Sequence, residues 1–229
     1  MIGRYHYTRQ WIENKAEGAL LKWCPEVLQK PKPFSIEKIS ELIVERGYRV
    51  ELNADLEFAE NGKKILGCLS LETPPCIYID RSLQDERRRR FVFAHELGHF
   101  VLHRKIIFEI GEYDRFIEID EEMEAEQDDR YWLEWQANKF AAALLMPQKT
   151  FSQALIAIQK EIGLSKTGFI YLSKERYSQQ DYRQTVDALA IVYGVSKSQI
   201  QYRLRSLDLI HDDNNPKSLA KLIPGNIWH

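Results

Sequence analysis

The sequence predicts an α+β fold: helices gathered around a small β-sheet, followed by a helical C-terminal region with a helix–turn–helix pattern. Three observations predict it. Apolar residues recur at helical spacing over 36–43, and helical patterns return over 86–103 and 132–146. Short strand-like pieces at 48–52, 66–71 and 77–79 lie between the first two helices, punctuated by Asn61-Gly62 and Pro74-Pro75. Further on, 187–207 reads as helix, tight turn, helix.

Each element has a local cause. Residues 1–30 carry Trp11 and Trp23 and read as an N-terminal helical extension, ended by Pro31-Lys32-Pro33. Ser35 is placed to cap a helix that presents Ile36, Ile39, Leu42 and Ile43, and Gly47 stops it. Asn61-Gly62 is a turn between two extended pieces. Asp85 and Glu86 suit the start of the next helix. The four arginines that follow, Arg87 to Arg90, read as a solvated face, with phosphate binding as the sharper alternative. Phe91, Ala94, Leu97, Val101 and Leu102 are expected to turn that helix toward the core. The acidic stretch 118–129 reads as a surface insertion, or else as a lid or steering segment beside a cation.

Composition bounds the function. With 44% hydrophobic and 29% charged residues, 229 residues can bury a sizeable core. A net charge of −2 provides no global attraction to nucleic acid or anionic membranes. No apolar run approaches the roughly 18 residues that a membrane span needs. The N-terminus lacks the apolar centre of a signal peptide. Cys24, Cys68 and Cys76 form an odd, scattered set without C-x-x-C spacing, as reduced thiols do. A cytoplasmic protein is expected.

The chemistry concentrates in His95-Glu96-Leu97-Gly98-His99. Helical residues i and i+4 lie one above the other, so His95 and His99 can grip one Zn²⁺. Glu96 sits where a general base for a metal-activated water is needed. The bland alternative is a buried HExxH without metal, whose polar atoms would need other partners. A catalytic zinc site needs a third protein ligand. His103 continues the same face. One helical turn advances about 5.4 Å, so three donors on one straight helix do not converge easily. His103 is therefore expected to support the site or the helix end rather than to bind metal. Glu134 is the better candidate. Its helix is rich in Ala and Leu, ends at Pro147, and places Glu134, Ala137, Ala141 and Leu144 on one side. The competing reading is a surface glutamate.

The HELGHxxxH helix followed by a Glu134-x-x-Ala137-Asn138-x-Phe140-Ala141-x-x-Leu144-Leu145-Met146-Pro147 helix resembles the ImmA/IrrE family of metallopeptidases. The strand Cys76-Ile77-Tyr78-Ile79-Asp80 and the Arg-rich approach to the metal helix fit the same pattern. The resemblance covers roughly residues 34–150. It implies a zincin-like fold with His95, His99 and Glu134 as metal ligands and Glu96 as general acid/base. A position often acidic in the family holds Gln136, and the segment from His99 to Glu134 is long for the family. The implied cofactor is one Zn²⁺, although the ligand types also suit other divalent metals. The implied substrate is a protein, a DNA-binding repressor cleaved to derepress genes of a mobile element, phage or stress response. An alternative from another class is a non-proteolytic DNA- or repressor-binding regulator with a structural metal site.

Past this region, Gly194 can serve a turn and Ser196 can cap a second helix. Ile200, Leu204 and Leu207 are expected to pack inward. Lys197, Gln201, Tyr202, Arg203 and Arg205 are expected to face outward, a composition suited to DNA or a partner protein. A similar segment follows the peptidase domain in the family. An ordinary helical subdomain is the bland alternative. The domain organisation expected is thus an extension over 1–30, a metallopeptidase domain over 31–160 and a helix–turn–helix-like region over 161–229.

Overall fold

Thr8 caps the first helix, its hydroxyl accepting from the Trp11 N–H at 3.3 Å. Helix α1 (Arg9–Trp23) buries Ile12, Ala16, Leu20 and Trp23 along one stripe. The computed structural model describes residues 6–59, 62–70, 73–106, 114–116 and 129–212. Two compact units are present, Met1–Pro147 and Gln148–His229.

In the first unit, Ser35 caps helix α2 (Ile36–Val44) through the Lys38 N–H at 3.2 Å. Ile36, Ile39 and Ile43 are buried. Gly47, at φ +82°, takes the left-handed conformation that ends the helix. A four-stranded mixed sheet follows, ordered β1 (Arg49–Ala54), β3 (Cys76–Asp80), β2 (Gly67–Ser70), β4 (Asp114–Phe116). Strand β1 runs parallel to β3, with Val50 opposite Ile77. Strands β2 and β3 are antiparallel, with Leu69 opposite Ile77, and β2 also pairs antiparallel with β4. Sequence reading assigned β1 to β3 and missed β4, a three-residue strand too short to carry a period. Of the expected turn, Asn61 lies outside the described residues. Gly62 has φ +77° and sits within an antiparallel bridge between Phe58 and Lys64.

Asp80 closes β3 and fixes the approach to the metal helix. Its carboxylate accepts from the Leu56 N–H at 2.8 Å and the Ser82 N–H at 2.9 Å, and Lys64 Nζ lies 3.2 Å away. Burial opposes the charge of this carboxyl. The Ser82, Leu56 and Lys64 hydrogen bonds outweigh it and hold the group at about 2.

Helix α3 (Glu86–Gly98) begins at Asp85, which accepts from the Arg87 N–H at 2.8 Å. It continues through a π-helical turn, His99–His103. From Val92 to Phe100 every residue is buried. This corrects the single core-facing stripe expected from the sequence. Phe91 and Val101 are only half-buried, while Val92, Phe93 and Phe100 belong to the core. The reason is position: α3 packs against β2 and β3 and also against helix α4 (Asp129–Leu145), so it has no solvent face there. Arg87 and Arg88 are exposed, and Arg89 donates to the Leu52 carbonyl at 2.8 Å, tying α3 to β1. Helix α1 packs on α4 as well. Of the acidic stretch, residues 118–128 lie outside the described residues, and Asp129 begins α4.

The second unit holds helix α5 (Gln148–Glu161), strand β5 (Ile170–Leu172), helix α6 (Arg176–Tyr193), helix α7 (Lys197–Ser206) and strand β6 (Ile210–Asp212). Strands β5 and β6 pair in parallel, with Tyr171 opposite His211. Gly194, at φ +59°, ends α6, and Ser196 starts α7 with a full capping box to Gln199. Phe151, Leu155, Leu189, Tyr193, Ile200 and Leu204 supply the core.

Candidate metal centre

Two helices assemble the site. Helix α3 carries His95 and His99, and α4 carries Glu134. Their approach is close because small residues face each other at the crossing. A Cβ on Gly98 would stand 3.2 Å from the Ala137 Cα and carbonyl oxygen. Ala137 and Ala141 are fully buried.

His95 Nε2 lies 2.9 Å from His99 Nε2 and 3.1 Å from Glu134 Oε2, and His99 Nε2 lies 3.5 Å from Glu134 Oε1. Four tetrahedral donors at bond lengths of about 2.0–2.2 Å stand about 3.3–3.6 Å apart, so the three spacings suit one ion with modest adjustment. Among the described residues, His95, His99 and Glu134 form the one such cluster of three that can hold a metal ion. All three are buried.

Hydrogen bonds behind the imidazoles fix which nitrogens are bare. His95 Nδ1 is 2.9 Å from Asn138 Oδ1, which only accepts. A neutral His95 therefore carries its proton on Nδ1 and leaves Nε2 with a lone pair. His103 Nε2 stands 3.2 Å from Gln136 Oε1, and His103 Nδ1 stands 3.0 Å from His99 Nδ1. A neutral His103 donating to Gln136 has a bare Nδ1. That atom accepts from His99 Nδ1–H and leaves His99 Nε2 bare in turn. Two lone pairs and a carboxylate then converge on one point, an arrangement that a cation between them stabilises.

Glu96 is fully buried on the same helix. The β2 backbone makes room for it at Gly67, where an added Cβ would come within 2.7 Å of Glu96 Oε1 and of Val92 Cγ1. Sequence reasoning gave no role to Gly67, Gly98 or Asn138 and treated Gln136 only as a missing acid. Asn138 was within reach of the sequence, since it follows Glu134 by four residues on one helix face.

The C-terminal candidates do not form one surface cluster of free cations. Lys197 and Arg205 are exposed, and Gln201 and Tyr202 are half-buried. Lys197 pairs with Asp187 at 2.7 Å. Arg203 is fully buried, against the expectation that it faces outward. It follows Ile200 by three residues and so falls on the apolar stripe of α7.

The sequence profile of the IrrE N-terminal-like domain, an M78 peptidase family, matches residues 53–205. The chain belongs to this family. The match takes in both the metal cluster and the α6–α7 turn, and the IrrE-like family brings metallopeptidase character to a site with two imidazoles and a carboxylate. A solved structure of a Mycobacterium tuberculosis transcriptional regulator is similar, with TM-score 0.51 at 16% sequence identity over 87% of this chain and 48% of that one. The IrrE-like chain thus spans about half the length of that regulator, and the likeness bears on fold. A search of curated proteins finds no match.

Proposed function

We propose that this chain is a zinc-dependent endopeptidase that cleaves a DNA-binding repressor and so derepresses genes. The observation that carries the reading is the convergence of His95, His99 and Glu134, with Glu96 beside His95, in a chain of a peptidase family. His95, His99 and Glu134 would hold a divalent ion, which would supply Lewis acidity for peptide hydrolysis. Glu96 is the group to take the proton of the attacking water and deliver it to the leaving amine. His103, with Gln136 behind it, and Asn138 hold the two imidazoles in the required tautomers. Zinc is the preferred ion, since two imidazoles and one carboxylate with an open position are a catalytic zinc set.

The C-terminal unit is assigned to partner or DNA contact, through Lys197, Gln201, Tyr202 and Arg205 on α7. Among the described residues no helix is long and apolar enough to cross a membrane. Cys24, Cys68 and Cys76 form an odd, scattered set without C-x-x-C spacing, which supports the cytoplasm as the site of action.

The test is incubation of the purified protein with the repressor encoded beside its gene, with and without a chelator. Discrete cleavage that chelator abolishes is expected. Glu96→Gln should reduce cleavage by about 10²–10⁴-fold, the usual worth of a general acid/base, with zinc content unchanged. Cleavage that persists in Glu96→Gln protein removes Glu96 from the reaction.

A further inference from the structure

Resting on the proposed role of Glu96 as general base, we infer that Gly67 of β2 is a positioning residue for it. The side chain that Gly67 lacks leaves the space in which the Glu96 carboxylate is held. Glycine weakens a strand, since it has nothing to pack and loses more backbone freedom on folding than any other residue. Gly67 is nonetheless built into β2, paired with Ile79 of β3 on one side and Phe116 of β4 on the other. Its φ lies outside the left-handed region, so the strand backbone does not itself call for glycine.

The requirement comes from α3, which packs on this strand. A Cβ on Gly67 would stand 2.7 Å from Glu96 Oε1, 2.9 Å from Glu96 Cγ and 2.7 Å from Val92 Cγ1. Real Cβ atoms essentially never make contacts under 3.0 Å. Val92 and Glu96 are one turn apart, so both meet the strand on the same helix face. The three atoms nearest to that Cβ belong to Glu96 and Val92, and none to His95, His99 or Glu134.

What gives way under crowding decides the consequence. The β2 backbone is fixed by a strand on each side. The Glu96 backbone is fixed by the helix, where its carbonyl accepts from the His99 N–H. The Glu96 side chain is the flexible partner, and its Cγ and Oε1 are the atoms that face Gly67. A methyl group at position 67 therefore moves the carboxylate before it moves either backbone. The metal ligands keep their places while the base loses its own, a split that a glycine needed only for strand packing would not produce.

The test uses the full chain and two readouts. With zinc-loaded protein the probe is acetohydroxamate, which chelates a metal through its oxygens and can donate a hydrogen bond to a carboxylate beside it. Glu96→Gln should weaken the probe about ten-fold, the worth of one hydrogen bond to a charged group. Gly67→Ala should weaken it to a similar degree, with zinc affinity in chelator competition unchanged. The two substitutions together should be no weaker than Glu96→Gln alone, since they act through one carboxylate. With metal-free protein the melting temperature reads the contact itself. Gly67→Ala should lower it, and should lower it less in a Glu96→Ala background, where Cγ and Oε1 are gone. If Gly67→Ala alone does not fold, the same measurements are made with Val92→Ala added, which removes the other clash. Wild-type affinity for acetohydroxamate in folded Gly67→Ala protein overturns the inference. So does a parallel loss of zinc affinity, or a melting-temperature loss that Glu96→Ala leaves unchanged. Wild-type protein that binds the probe but cleaves no repressor would count against the peptidase reading alone, and the melting-temperature comparison needs no metal.

Discussion

A single imidazole illustrates how much of the site lies one bond behind the metal ligands. His103 lies outside the three-residue cluster, yet its two nitrogens link His99 to Gln136 at 3.0 and 3.2 Å. Removing it leaves His99 free to carry its proton on Nε2, the atom the metal needs. Supporting partners of this kind are worth about 10–100-fold in metal affinity. His103→Ala is therefore expected to weaken zinc binding by that factor in competition with a fluorescent chelator, and Asn138→Ala by a similar one through His95. Equal affinity in wild type and His103→Ala would show that the chain of tautomers is not needed. The histidine pair of the cluster was legible in the sequence because spacing on a helix is a geometric statement: His95 to His99 is one turn. Gln136 was not assigned because a polar residue on a buried helix face is visible as a partner only when the facing helix is known, whereas Asn138, four residues after Glu134, carried a signal in its spacing.

Elements set the site through one glycine and one aspartate. Gly98 allows α3 to lie against Ala137, one turn from Glu134. Gly98→Val would set a side chain against the Ala137 backbone, from which even a Cβ would stand only 3.2 Å, at a cost of about 1–3 kcal/mol for overpacking. Because Glu134 rides on the displaced helix, metal affinity should fall together with the melting temperature. Chelator competition and thermal unfolding measure the two effects. Asp80 makes a different prediction. Its carboxyl lies at about 2 against its ordinary 3.8, so the folded state favours the charged form. This contributes about 2 kcal/mol, fully present well above pH 3.8 and lost as pH falls toward 2. Asp80→Asn should therefore be less stable than wild type by about 2 kcal/mol at pH 7, and the gap in urea unfolding should close below about pH 2. Element by element, caps and stops were readable, as Ser35, Gly47, Gly194 and Ser196 attest, since each acts through its own backbone. The core face of α3 was not, because burial on all sides erases the periodicity on which such readings rest. Arg203 was misplaced for a related reason. Residue type suggested the surface, but helical position three after Ile200 prevailed.

The family match runs through both units, from residue 53 to 205, so whole-molecule function is expected to use the second unit as well as the metal centre. Net charge argues that any DNA contact there is local. At −2 overall, the chain has no long-range attraction to a polyanion, and binding must rest on a few cations. Lys197 is already paired with Asp187, which reduces what it offers a phosphate. Arg205 is exposed on α7 and is the stronger candidate. Each phosphate neutralised contributes about −0.9 to the slope of log affinity against log salt, so a contact through these two residues predicts a shallow slope of about −2. Arg205→Ala should reduce that slope by about 1 and weaken binding across all sequences. Fluorescence anisotropy on operator DNA over a salt series reads both. A steep slope, or one that Arg205→Ala leaves unchanged, would place the contact elsewhere. Absence of DNA binding at low salt would assign α7 to a protein partner.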